Sequence, residues 1–238
     1  MSRVQKLLAA FRSPIGRKLW TGITGLGLTL FVLAHMSGNL SYFSSDPQAY
    51  NKYAEFLTGL GPLFYAIELG LLAFFVIHAF IGISIWLGKK KARPVGYKKY
   101  RSSGQPSKQS LASRTMIVTG SVLLVFLVVH ILSFKYGPGV DEGYVVTVGG
   151  AQIRDLKTLL EQKFNNALYA FGYPAVMLLL AFHLRHGIWS AFQSLGATNP
   201  RLTPLIYTLG GVLGLLIAVG FLVLPLYIFF FVEAPPVP

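Results

Sequence analysis

The sequence predicts an all-α membrane protein, a single five-transmembrane-helix bundle over residues 1–238. Three observations predict it: scarce charge, five long apolar runs, and basic residues gathered in alternate connections. Of the residues, 53% are hydrophobic and only 12% charged, against about 25% charged in a typical soluble domain. The mean hydropathy is +0.57. A chain of this composition has lipid as its solvent.

About 20 apolar residues cross a bilayer as a helix. Five stretches meet that length, at about 19–43, 60–88, 115–134, 167–194 and 205–232. A soluble core helix would be shorter and carry a polar face.

The net charge of +13 suggests nucleic acid only until the charges are placed. Residues 1–18, 89–114 and 195–204 hold 15 basic residues and no Asp or Glu. The other side of the predicted bundle has Lys52, Lys135, Arg154, Lys157 and Lys163, offset by Asp46, Glu55, Asp141, Glu142, Asp155 and Glu161. That asymmetry is membrane topology, and it leaves no nucleic-acid partner to infer. It puts the N-terminus in the cytoplasm and the C-terminus outside. Met1 to Lys18 has no cleavage-type apolar core, so no removable signal peptide is expected.

The longest connection runs from Lys135 to Asn166. Ile153, Leu156, Leu159 and Leu160 fall there at helical spacing, which predicts a short interfacial helix. The Pro-rich end, Ala234 to Pro238, reads as a frayed tail. The chain has no cysteine, which excludes disulfides, thiolate metal sites, protein-held iron–sulfur clusters and covalent c-type haem.

All five histidines, His35, His78, His130, His183 and His186, fall inside predicted spans. Ionisable residues in a membrane are costly and usually functional. A lone buried histidine can equally serve a carbonyl hydrogen bond, but four spans each supply at least one. Their depths sort them. His35 lies 17 residues past Lys18 and His130 16 past Arg114, both about 25 Å above the basic boundary at 1.5 Å per residue. His78 lies 11 residues before Lys89 and His183 11 before Ser194, both about 17 Å above it. Two pairs at two depths are what two six-coordinate haems require, one imidazole from each side of each iron. The outer pair is His35 with His130, and the inner pair His78 with His183.

His186 competes with His183, three residues away on much the same face, and the depth match favours His183. Gly82 and Gly187 each follow an inner histidine by four residues. A flat macrocycle needs side chains cut away there, though ordinary small-residue packing would also use either glycine. Gly22, Gly25 and Gly27 suit either purpose.

These residues resemble a family. TGITGLGLTLFVLAHM in the first span, FFVIHAF around His78, FLVVHILSF around His130 and FHLRHGIWS around His183 look like the five-helix dihaem cytochrome b subunit of bacterial succinate:menaquinone and quinol:fumarate oxidoreductases. The likeness covers the whole chain. It implies two haem b groups, the outer held by His35 and His130 and the inner by His78 and His183. The family's His-x-x-x-Gly pattern in span four falls on His183 and Gly187. Some relatives carry a glutamate two residues before that histidine, linked to proton transfer; here the residue is Ala181. The resemblance further implies two partner subunits, an iron–sulfur protein and a flavoprotein that oxidises succinate, in the inner (cytoplasmic) membrane of a prokaryote. This chain would be the membrane subunit that binds no succinate and passes electrons to quinone, by resemblance menaquinone. The N-terminus, the 89–101 loop and the 195–204 connection would form the docking face, although ordinary positive-inside loops look the same.

Quinone reduction needs hydrogen-bond donors and a proton route. Polar candidates at the outer helix ends are Asn39, Tyr42, Tyr65, Glu68, Lys135 and Tyr136. Glu68, the only acidic residue inside a span, is the candidate catalytic group for proton exchange; a snorkelling interface carboxylate is its plainer role. Two rival functions remain: the dihaem anchor of a hydrogenase or formate dehydrogenase, which usually has four spans, and a transporter using histidines as proton relays. A transporter would be expected to show internal repeats or broken helices at the midplane, and no repeat is expected from this sequence.

Overall fold

In the computed structural model, residues 2, 5, 9, 11, 13–92, 95 and 111–237 are described. Arg3, Lys6, Arg12, Arg93, Lys98, Lys99, Arg101 and Lys108 lie outside them, as do Pro238 and most of the proposed 89–101 docking loop.

Among the described residues, five helices are long and apolar enough to cross a membrane. Span one is α1, Pro14–Asn39, which tightens into a 3₁₀ turn over Leu40–Phe43. It begins earlier than the apolar run suggests because Ser13 caps it. The Ser13 hydroxyl accepts the Gly16 amide at 3.0 Å, and Pro14 sits in the first turn, where no amide hydrogen is needed. A helix absent from the sequence reading, α2 (Ala49–Thr58), follows at the far end of the bundle. Span two is α3, Pro62–Ala92. The short α4, Leu111–Arg114, leads into span three, which is α5 (Met116–His130) continued by a π-helical turn over Ile131–Lys135. Span four is α7, Ala167–Ser194, and span five α8, Leu202–Phe231. Leu30, Leu69, Phe80, Val125 and Leu178 are among the many exposed apolar side chains along these helices, as a lipid-facing surface requires. The chain is therefore a multi-pass membrane protein. The end carrying Lys18, Lys89 to Lys91, Arg114 and Arg201 is called here the basic end, and the other the far end.

The far-end connection differs from expectation. Ile153 is not helical; it lies on β2 (Ala151–Arg154), paired antiparallel with β1 (Val145–Val148), opposite Val146. The cause is the Gly149-Gly150 turn, with φ of 57° and 85°, which only glycine adopts freely and which closes a two-residue hairpin. The helix starts later, as α6 (Leu156–Phe164), where the Asp155 carboxylate accepts the Thr158 amide at 3.0 Å. Leu159, Leu160 and Phe164 are buried rather than laid on an interface. Leu160 and Phe164 join Tyr50, Leu224 and Ile228 in a core that caps the far end. Buried Asn51 ties α2 to α6, donating to Asp155 and accepting the Lys157 amide, each at 2.9 Å. The tail is held too: Gln162 donates to the Pro236 carbonyl at 2.8 Å.

Span five packs on spans one and four. Leu184, Ile188 and Ile217 form that core with Val32, Met36 and Phe221 around them. Close approach depends on Gly210 and Gly214: a Cβ at Gly214 would stand 2.9 Å from the Ala181 carbonyl oxygen. Small residues four apart let membrane helices meet at the backbone. Ala181 thus backs onto span five. Spans one to four, with Phe221, Leu224 and Pro225 of span five, line a space that all the histidines border.

Candidate functional site

That space is a cavity of about 2720 Å³ running from Lys18, Lys89 and Arg114 at the basic end to Tyr50, Arg154 and Tyr136 at the far end. A drug-sized ligand fills roughly 300–1,000 Å³, so the volume is enough for more than one large group. All five histidines line it.

The structure brings His35 beside His130, with ring centres 5.7 Å apart and planes at 83°. It brings His78 beside His183, at 6.3 Å and 64°. Two imidazoles bound on opposite sides of one metal, each through a nitrogen at about 2 Å, have ring centres about 6 Å apart. Both pairs therefore suit a bis-imidazole iron. Among the described residues no cluster of three or more His, Asp or Glu side chains forms; the donor set consists of pairs.

The levels are further apart than residue counting from the charged boundaries gave. His78 meets Thr24, and His35 lies 11 residues beyond Thr24 on the same helix, about 16 Å along the axis. The difference arises because spans two and four extend past Lys18 at the basic end, so their last charged or polar residues mark a lower level.

Each near-pair histidine is fixed by the neighbouring odd-numbered span. The Thr24 hydroxyl lies 3.3 Å from His78 Nδ1, and the Thr119 hydroxyl 3.0 Å from His183 Nδ1. With Nδ1 engaged, Nε2 is the nitrogen left to bind metal. The residue after each threonine is glycine. A Cβ at Gly25 would stand 3.1 Å from His78 Cε1, and one at Gly120 3.4 Å from His183 Cε1. Gly82 and Gly187, singled out from sequence, also line the cavity, and a Cβ at either meets nothing within 4 Å. They border open space, as a macrocycle edge needs, but do not touch the imidazoles. Gly22 packs on the Ala191 backbone of span four and Gly27 on Phe74 of span two. His186 lies toward the basic end, beside Trp189 at 5.9 Å.

The far pair is fixed by aromatic rings. Phe31 stacks on His35 at 5.6 Å and Phe126 on His130 at 5.7 Å. The Tyr173 hydroxyl is 3.5 Å from His130 Nδ1.

Thr24, Thr119, Phe31 and Phe126 were not picked out from sequence, yet a signal for them exists. Spans one and three share Thr-Gly-x5-Phe-x3-His, ending at His35 and His130. Spans two and four share His-x3-Gly, starting at His78 and His183. This is an internal repeat of two spans, which the sequence reading failed to find because the intervening residues are interchangeable aliphatics.

The polar candidates divide. Asn39 donates to the His35 carbonyl at 2.8 Å, one turn along the same helix. Tyr42 donates to Glu161 at 2.7 Å and is thereby committed to the far-end cap. Tyr65, Glu68, Lys135 and Tyr136 line the cavity together. Glu68 is not solitary: Lys135 donates a hydrogen bond to its carboxylate. The π-helical turn after His130 sets the direction of Lys135, and such turns recur at functional sites. Arg154 secures that turn, donating to the carbonyls of Phe134 at 2.8 Å and Pro138 at 2.7 Å. Burial pulls the Arg154 guanidinium below the ordinary arginine pKa, against which the Glu142 carboxylate acts. Comparison with protein-family models, with curated proteins and with solved structures returned no match to this chain.

Proposed function

We propose that this chain is the membrane anchor and electron-transfer subunit of a succinate:quinone oxidoreductase or fumarate reductase, passing electrons between an iron–sulfur subunit and quinone through two b haems. The observation that carries the reading is the pair of facing histidines at each of two levels, 5.7 and 6.3 Å between ring centres, in one large apolar cavity. His78 and His183 would hold the haem near the basic end, and His35 and His130 the one near the far end. Bound haem supplies reversible one-electron chemistry, with a potential set by ligation and surroundings.

The chain's own groups do the rest. Phe31, Phe126 and the aliphatic walls exclude water from the far pair. Lys135 and Glu68 offer a donor and a proton-exchanging carboxylate on the cavity wall, which is the equipment a quinone carbonyl needs as it is reduced. Quinone would then react at the far end, which is the outer end by the positive-inside rule; the resemblance supports the inner membrane of a prokaryote as the setting. The basic end takes the iron–sulfur and flavoprotein partners. The internal repeat does not by itself favour a transporter. It repeats the histidine positions and sets like histidines opposite one another, which a metal-binding pair needs and a proton relay does not.

A pyridine haemochrome assay tests the reading directly. Two haems per chain are expected, and one or none overturns it. Co-purification of a flavoprotein with succinate dehydrogenase activity tests the complex; a hydrogenase or formate dehydrogenase in its place would support the rival anchor. Glu68→Gln tests the quinone site. Both haems should still reduce with succinate while quinone turnover falls sharply, and unchanged turnover removes Glu68 from the reaction.

A further inference from the structure

We infer that Thr24 and Thr119 are positioning residues that orient the two near-pair imidazoles and lower the midpoint potential of the haem they hold. The inference rests on the haem reading above. Both threonines are buried, at 0% and 3% exposure, on different helices, and each meets Nδ1 of a different histidine. Sequence spacing repeats the arrangement: each Thr-Gly stands 11 residues before a far-pair histidine on its own span.

The direction of the hydrogen bonds follows from what else the hydroxyls do. Thr24 Oγ1 donates to the Trp20 carbonyl at 2.6 Å. Thr119 Oγ1 donates to the Thr115 carbonyl at 3.1 Å. A hydroxyl has one proton. With it given to the helix backbone, the oxygen can only accept from the ring, so Nδ1 carries the hydrogen on both His78 and His183. The tautomer is thereby set and Nε2 is bare on each. A hydroxyl that donates to the backbone is a stronger acceptor for the ring N–H. An acceptor on Nδ1–H raises the basicity of the ligand nitrogen. A more basic ligand stabilises the oxidised metal, so the threonines make this haem harder to reduce. Gly25 and Gly120 complete the cradle, since a side chain at either would press on the ring carbon beside Nδ1. Among the described residues the far pair has no equivalent pair of hydroxyls; its rings lie against Phe31, Phe126 and Phe221.

The test uses the intact complex with Thr24→Val, Thr119→Val and the double substitution, which keep side-chain shape. Haem content, potentiometric titration and low-temperature paramagnetic resonance are measured, with the near haem identified as the one missing from His183→Ala. Two haems per chain should remain, and the far-haem midpoint should not move. In the double variant the near haem's oxidised-to-reduced ratio at fixed potential should fall about tenfold, a positive shift of ~59 mV for a one-electron couple. Its resonance signal should change as the ring planes rotate, and Thr→Ser should preserve both properties. Unchanged midpoints and signals in the double valine variant overturn the inference. So does a serine pair that behaves like the valine pair, including loss of the near haem from both; loss from the valine pair alone supports it. A wild-type complex without haem fails the underlying reading instead, before any variant is compared.

Discussion

The two histidine pairs are built from the same repeat and held in different ways. At the basic end each imidazole meets a hydroxyl of the adjacent span at 3.0–3.3 Å, next to a glycine that leaves the ring room a Cβ would take. At the far end each is stacked on a phenylalanine four residues earlier on its own helix, and only Tyr173 approaches a ring nitrogen. A hydrogen bond sets both orientation and tautomer, whereas a stacked ring sets orientation and leaves the nitrogen electronically freer. The comparison teaches that equal histidine pairs need not give equal sites: the neighbours divide one repeat into a polar-braced level and an aromatic-braced level.

The largest expected effect comes from removing ligands. His78→Ala or His183→Ala should lose the near haem and keep the far one, and His35→Ala or His130→Ala the reverse. His186→Ala should keep both, because His186 stands outside the near pair. Haem content and optical difference spectra check this, and a His186 variant lacking the near haem beside a normal His183 variant would reverse the assignment.

A smaller effect separates the glycines. Gly25→Ala places a methyl group against the His78 ring, and overpacking of that kind costs about 1–3 kcal/mol. It should lower near-haem occupancy and thermal stability in detergent. Gly82→Ala enters open space and should change neither by as much. Equal effects would erase the distinction between the residues that touch the ligands and those that border the cavity.

The smallest effect belongs to the far pair. Tyr173→Phe removes a long, 3.5 Å contact to His130 Nδ1. A neutral hydrogen bond contributes about 0.5–1.5 kcal/mol net, and one of this length belongs at the bottom of that range. The far-haem midpoint should move less than the near-haem midpoint does in either threonine variant. A larger shift would make the far level the more polar-braced of the two.

Much of this was legible in the residues. Span number follows from lipid chemistry, since 20 apolar residues in succession have few other stable homes, and the pairing of histidines follows from helix rise applied to four helices. Other features were hidden. Ile153 falls at helical spacing with Leu156 and Leu160, and only the pairing of Val146 across the Gly149-Gly150 turn makes it a strand residue. The pairing of Glu68 with Lys135 was hidden as well, because the two are 67 residues apart and Lys135 sits on a π-helical turn with no sequence signature.

The sequence by itself determined the solvent, the five spans, the charge asymmetry and which histidines share a level, because hydrophobicity and helical rise are properties of single segments. Only the tertiary structure decided which atoms face those histidines. Thr24 meets His78 and Thr119 meets His183 across 54 and 64 residues of chain. Rotation of one helix about its axis relative to the next selects those contacts. Gly22 brings span one onto span four, and Gly210 and Gly214 bring span five onto span four, at points where backbones meet. A segment's own composition carries little information about the side chain that a neighbouring helix will present to it.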